Sequence, residues 1–199
     1  MYTLDKNTLN PDSELVGTSE YFYLSQSEHQ ELIDSYILVS NYLLNKYKVN
    51  SFLNIGCGFG ELLGYLSGLD TPVLGMDNTL VGSRVNNKKG LTVVPLDFIM
   101  STHLKALKTI LNQEVYIFSD YTRFLSNYGY NYFIKQIEYW YKPRFIVVDF
   151  LIENYVYNDI EFLSHDYEEL LAIYPHKDIV IIDKLDINRR ILVLETNKV

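Results

Sequence analysis

Cysteine is nearly absent from this chain of 199 residues: Cys57 stands alone. That excludes an internal disulfide and any metal site built on several thiolates. Five prolines and ten glycines are too few for a collagen-like or linker-type sequence. No uncharged apolar run approaches the ~18 residues of a membrane helix. The start, Met1-Tyr-Thr-Leu-Asp-Lys-Asn, lacks a basic region followed by an apolar one, so neither a membrane span nor a secretory signal is expected. Basic residues are also short: 17 Lys and Arg against 25 Asp and Glu give a formal charge of −8. Such a balance argues against unaided binding to a phosphate backbone. What is plentiful is apolar and aromatic residues, 48 % hydrophobic with 18 tyrosines, enough for a full core in one cytoplasmic domain.

The periodicity changes along the chain. Residues 1–26 are polar and turn-rich and read as an arm or lid. Ser27-Glu28-His29-Gln30 has the form of a capping box, and Leu32, Tyr36, Val39, Leu43 and Tyr47 then recur at helical spacing, predicting an N-terminal helix over 27–48. From residue 50 to 199 strands and helices alternate. Apolar runs at 51–55, 72–76, 91–96, 115–118 and 144–150 predict strands. Helices are predicted at 61–67, 79–88, 101–112 and 129–141, with Gly68 placed to end the first in the left-handed conformation. Continuous apolar strands such as Phe145-Ile-Val-Val are buried on both faces, as in parallel sheets with helical crossovers. The rhythm breaks at the end, where 179–182 and 191–194 are separated only by the polar stretch Asp183–Arg190, a hairpin that makes the last strand antiparallel. The expected architecture is a single-domain, doubly wound α/β sheet.

The most informative segment is Asn54-Ile-Gly56-Cys57-Gly58-Phe-Gly60-Glu61, where a strand runs through three glycines into a helix. Glycines there permit a tight turn and let a ligand lie on the backbone at the positive end of a helix. A phosphate loop needs Lys-Ser/Thr after its last glycine, and Glu61-Leu62 stands in that place. A dinucleotide fingerprint needs glycine where Glu61 stands, and a carboxylate beside a pyrophosphate is unfavourable, which disfavours a nicotinamide oxidoreductase. Two further acids close strands: Asp77, followed by Asn78, suits a pair of ribose hydroxyls, and Asp97 with Phe98 suits an adenine amino group and ring. A lone strand-end acid commonly caps the next helix, but these two fall in register after one glycine loop.

Gly56-Cys-Gly-Phe-Gly60, Asp77 and Asp97-Phe98, with a terminal antiparallel strand, resemble the class I, Rossmann-like S-adenosylmethionine-dependent methyltransferase superfamily over roughly residues 50–199. The resemblance implies a seven-stranded sheet of order 3-2-1-4-5-7-6, in which Pro95 lies on an edge strand. It implies S-adenosylmethionine as cofactor, with Asn54, Gly56, Cys57, Gly58 and Gly60 along the methionine portion, Asp77 and Asn78 at the ribose and Asp97 and Phe98 at the adenine. The family usually carries Asp or Glu where Asn54 stands, so a charge favouring the sulfonium is missing.

Methyl transfer from a sulfonium is an in-line displacement governed by alignment, with a base needed only when the acceptor must lose a proton. Ser119-Asp120-Tyr121 closes the fourth strand, so Asp120 is a candidate to touch the cofactor and to orient or deprotonate an acceptor, with Tyr121 beside it. The Asn/Asp-Pro-Pro-Tyr/Phe signature of nucleobase-amine methylation is absent, because Tyr121-Thr122 follows Asp120. His165, next to Asp166 in the long 151–178 connection, is the best-placed histidine for a general base. His103 and His176 read as surface residues, and no set of metal ligands emerges. Tyr21, Tyr23, His29 and Tyr128 are expected to shape the acceptor pocket, where tyrosines beside carboxylates suit a cationic or aromatic group. These readings converge on methylation at N or O of a small molecule or short peptide, with no nucleic acid or membrane partner and room for a homodimer. The alternatives are a catalytically silent scaffold or activating subunit and, less favoured, a nucleic-acid methyltransferase.

Overall fold

The computed structural model describes residues 26–77, 86–95, 111–119, 134–139, 141–153, 155–157, 160–162, 179–182 and 189–196. Helix α1 (Gln26–Tyr42) runs into a π-helical turn, Leu43–Tyr47, closed by Lys48 in the left-handed conformation. Strand β1 (Phe52–Ile55) and helix α2 (Glu61–Ser67) flank the glycine loop, and β2 (Val73–Asp77), β3 (Val93–Pro95), β4 (Val115–Phe118) and β5 (Phe145–Leu151) follow. Then come a short hairpin, β6 (Tyr155–Tyr157) and β7 (Ile160–Phe162), and the strands β8 (Ile179–Ile182) and β9 (Arg189–Glu195).

Seven strands form one sheet in the order β3-β2-β1-β4-β5-β9-β8, which among those seven is 3-2-1-4-5-7-6. The pairs from β3 to β5 are parallel, whereas β9 is antiparallel to both β5 and β8. Pro95 therefore ends an edge strand, where its missing N–H costs no ladder bond. The order reverses at β1, with Phe52 opposite Val73 on one side and Val115 on the other. Ligands of open α/β sheets bind in the crevice at the carboxyl ends of the strands at such a switch point.

Side chains alternate between two apolar layers, as the pleat requires. Leu53, Ile55, Tyr116, Phe118, Ile146 and Val148 pack with Ile134, Ile137 and Tyr141 on one face. Phe52, Val115, Ile117, Phe145, Val147, Ile191 and Val193 pack on the other against Leu32, Tyr36, Val39 and Leu43 of the first helix and Leu62 and Leu66 of α2. Burying one such side chain stabilises the fold by about 1.5–3 kcal/mol.

Several expectations need correction. The first helix is regular only to Tyr42, and it begins at Gln26, so Ser27 lies inside it rather than capping it. Gly68 does not take the left-handed conformation: its φ is −67°, and its N–H donates back to the Gly64 and Leu66 carbonyls. The left-handed residue is Asp70, with φ of 53°, whose short polar side chain tolerates it. Residues 151–178 are not one uninterrupted connection, because β6 and β7 form a hairpin within them. Arg189 and Arg190, assigned to the polar link, belong to β9. Leu111, Asn112 and Tyr141 are not helical, whereas the described parts of the predicted helices 79–88 and 129–141, residues 86–88 and 134–139, are. The predicted stretch 101–110 lies outside the described residues.

A Cβ on Gly75 in β2 would stand 2.9 Å from Cys57 Sγ, Leu63 Cδ2 and Val93 Cγ2. Three side chains would have to move in a packed core, so Gly75→Ala is expected to cost about 1–3 kcal/mol, measured by urea unfolding.

Candidate functional site

At the carboxyl end of β1 the chain makes the glycine loop. Gly56, Gly58 and Gly60 all have positive φ, 72°, 49° and 81°, a conformation that side chains resist. The loop starts by hydrogen-bonding to β2, with the Gly56 and Cys57 N–H groups donating to the Met76 carbonyl at 2.8 and 3.2 Å. It then closes on itself, Gly60 N–H donating to the Cys57 carbonyl at 2.9 Å, and the Gly60 carbonyl accepts from Gly64 N–H as α2 begins.

The central glycine, Gly58, is held from both sides. Gly58 N–H donates to Asp77 Oδ2 at 2.8 Å, and the Gly58 carbonyl accepts from Asn86 Nδ2, also at 2.8 Å. Asp77, the last residue of β2, is only 2 % exposed, and Asn86 is fully buried. Lys89 Nζ donates to the Phe59 carbonyl at 2.7 Å. A Cβ on Gly60 would fall 1.9 Å from Asn86 Oδ1, so only glycine fits where the loop meets Asn86. Asn86 and Lys89 were not foreseen, since a helical asparagine carries no sign in one sequence that it reaches a loop 28 residues away.

Asn54 lies in β1 on the face shared with α1, and its Oδ1 accepts from the Ser119 hydroxyl at 2.7 Å, just past β4. The Cys57 side chain packs with Leu63 and Val93 rather than lining an opening. Burial, and then the charge of Asp77, push its thiol well above the ordinary value. Among the foreseen residues, the structure thus gathers Asn54, Gly56, Cys57, Gly58, Gly60 and Asp77 at one sheet edge. His29 falls within α1, and nothing is described of its side chain. Asn78, Asp97, Phe98, Asp120, Tyr121, His165, Tyr21, Tyr23 and Tyr128 lie outside the described residues. Among the described residues no group of three or more His, Cys, Asp or Glu could hold a metal ion, and no helix is long and apolar enough to cross a membrane.

No family model and no curated protein matches the chain. Solved structures do. The magnesium protoporphyrin IX methyltransferase of Synechocystis PCC 6803 with bound S-adenosylmethionine aligns with a TM-score of 0.64 and 16 % identity, over 86 % of this chain and 81 % of that one. A S-adenosylmethionine-dependent methyltransferase from Archaeoglobus fulgidus aligns at 0.62 and 15 %, over 90 % and 98 %. The small RNA methyltransferase HEN1 aligns at 0.57 and 11 %, over 83 % of this chain and 25 % of that one. The chain has the fold of class I S-adenosylmethionine-dependent methyltransferases.

The Cys57 thiol sets a pH dependence. Below the ordinary value of 9.0, folded and unfolded chains both keep the proton. Above it the unfolded thiol ionises while the folded one does not, so stability falls with rising pH by about 1.4 kcal/mol per unit. Urea unfolding at about pH 8 and about pH 10 should therefore show a larger alkaline loss in the wild type than in Cys57→Ala.

Proposed function

We propose that the chain is an S-adenosylmethionine-dependent methyltransferase acting at N or O of a small-molecule or short-peptide acceptor. The observation that carries the reading is the joining of Asp77 to the Gly58 N–H in a loop of left-handed glycines at the switch point of this fold. The donor set fits such a cofactor: Asp77 offers a carboxylate at the end of β2 for ribose hydroxyls, and the loop offers backbone beside the start of α2. Gly56, Cys57, Gly58 and Gly60 would follow the methionine portion, Asn78 would lie beside the ribose, and Asp97 with Phe98 would take the adenine. Asn54 and Asp120 would flank the sulfonium side. When bound, the cofactor supplies an electrophilic methyl group.

The chain's own residues then orient and, where the acceptor requires it, accept a proton. Asp120 and His165 are proposed for that proton, with Tyr121 beside the acceptor and Tyr21, Tyr23, His29 and Tyr128 around it. The formal charge of −8 favours cationic or neutral acceptors over a nucleic acid. A homodimer and a cytoplasmic setting complete the proposal. A catalytically silent scaffold is the second reading, favoured by Asn54: its amide lacks the usual charge, and its Oδ1 already accepts from Ser119.

Calorimetric titration with S-adenosylmethionine and S-adenosylhomocysteine separates the two, with low-micromolar binding expected of the enzyme and silence of the scaffold. Asp77→Ala should weaken binding at least tenfold, about 1.4 kcal/mol, as loss of a hydrogen-bonding carboxylate would. Deleting residues 1–24 should abolish turnover against a panel of small amines, phenols and peptides while sparing cofactor binding. Loss of both would overturn that division of labour.

A further inference from the structure

On the face of the sheet that meets α1, polarity is concentrated at one level. Phe145, Val147, Ile191 and Val193 are apolar, and then Asp149 in β5 and Arg189 in β9 appear, both essentially fully buried. Arg189 Nη1 forms a buried ion pair with Asp149 Oδ2. The hydroxyl of Tyr36, on α1 and without solvent exposure, donates to Asp149 Oδ1 at 2.5 Å and lies 3.2 Å from the Phe118 carbonyl. Phe118 ends β4. The next residue, Ser119, donates its N–H to the Ile55 carbonyl at 2.9 Å and its hydroxyl to Asn54 at 2.7 Å, immediately before the glycine loop. By the parallel register, Phe118 faces Ile55 on one side and Val148 on the other, so Asp149, Ser119 and Gly56 stand at the same height.

A buried ion pair is weak evidence of a stabilising device, because well-packed apolar residues of similar volume are often at least as stable. Its placement is the informative part. The pair occurs only where the apolar layer gives way to the ligand end of the sheet, and it ties α1, β4, β5 and β9 together there.

We propose that Tyr36, Asp149 and Arg189 form a positioning unit that holds the carboxyl ends of β4 and β5 and the start of β9 against α1 and so sets the Phe118–Ser119 peptide, and through it Asn54, beside the glycine loop. The proposal rests on the cofactor reading above for its functional consequence, though not for its geometry. None of the three is a catalytic residue; they act through Ser119 and Asn54.

Two variants test it. Tyr36→Phe removes the hydroxyl and keeps the ring in its apolar packing. The double variant Asp149→Leu with Arg189→Met replaces the charges with apolar groups of similar volume. In both, amide hydrogen exchange at Ser119 and Gly56 in the unliganded protein should accelerate about tenfold relative to exchange in the centre of β5, with a melting midpoint close to wild type. Affinity for S-adenosylhomocysteine should fall three- to tenfold. Val39→Ala loosens the same helix face without touching the unit, so it should lower the melting midpoint and leave the relative exchange at Ser119 unchanged. Should the double variant fail to fold, Tyr36→Phe decides alone. Unchanged exchange at Ser119 and Gly56 in a folded variant overturns the proposal, as does faster exchange that Val39→Ala reproduces. If the wild-type chain binds no S-adenosylhomocysteine, the cofactor reading fails, and the exchange comparison still decides the positioning role.

Discussion

The hydrogen bond from the Gly58 N–H to the Asp77 carboxylate is the interaction on which the carboxyl edge of this sheet depends. A loop of left-handed glycines has no ladder of its own, and it stays ordered only where neighbouring groups satisfy its backbone. A carboxylate 2 % exposed is costly unless it is hydrogen-bonded. Each requirement meets the other: β2 delivers the acid to the loop, and the loop delivers a donor to the acid. Asn86 completes the arrangement from the opposite side by donating to the Gly58 carbonyl. The two peptides that flank Gly58 are thus each held at one polar atom before any ligand arrives, which lowers the ordering cost of binding.

The same logic runs across the sheet. Parallel strands covered on both faces leave no room for polar side chains along their length, so polarity collects where the strands end. Asn54 and Ser119 form one pair at that edge, and Asp149 with Arg189 forms another on the same face. The amino edge is closed differently, by partly exposed contacts of Arg144 with Glu114 at 3.1 Å and Glu195 at 3.5 Å. Such partly exposed pairs contribute at most about 1 kcal/mol each. Chemistry and charge burial are therefore segregated to one end of the sheet, and ordinary surface pairing serves the other.

Much of this was legible in the sequence because its signals are local. Three glycines in five residues between an apolar run and an amphipathic segment require a strand-loop-helix turn, and the acid closing the next strand follows from strand length alone. The terminal hairpin was legible because eight residues cannot carry a crossover helix. What escaped depends on contacts distant in sequence. Tyr36 read as one more apolar position on a helix, and only the fold brings its hydroxyl to a residue 113 positions away. Arg189 read as part of a polar link, although Arg189-x-Ile191-x-Val193 already has the alternation of a strand, with the arginine on the buried side. Asp149 was hidden in an apolar run, where an acid is itself a sign of a buried partner. Gly68 escapes the left-handed conformation because helix ends offer competing solutions, and α2 ends in short-range bonds that pass the left-handed turn on to Asp70.

Fold and acceptor are separate questions, and the aligned structures make the separation concrete: a porphyrin methyltransferase and a small RNA methyltransferase share this sheet at 11–16 % identity. A sheet common to both cannot carry the choice between them. The proposal of a small acceptor therefore leans on composition, the acidic balance of the whole chain and its 18 tyrosines. Charge acts at long range and disfavours a polyanion whatever the local pocket contains. Tyrosine acts at contact, offering a ring face to a cation or an aromatic group and a hydroxyl to a polar one. For the proposed enzyme they would narrow the acceptor by exclusion first and by surface chemistry second, and the Asp149–Arg189–Tyr36 unit would bear on where it sits, since it fixes α1 at the carboxyl end of β4 and β5.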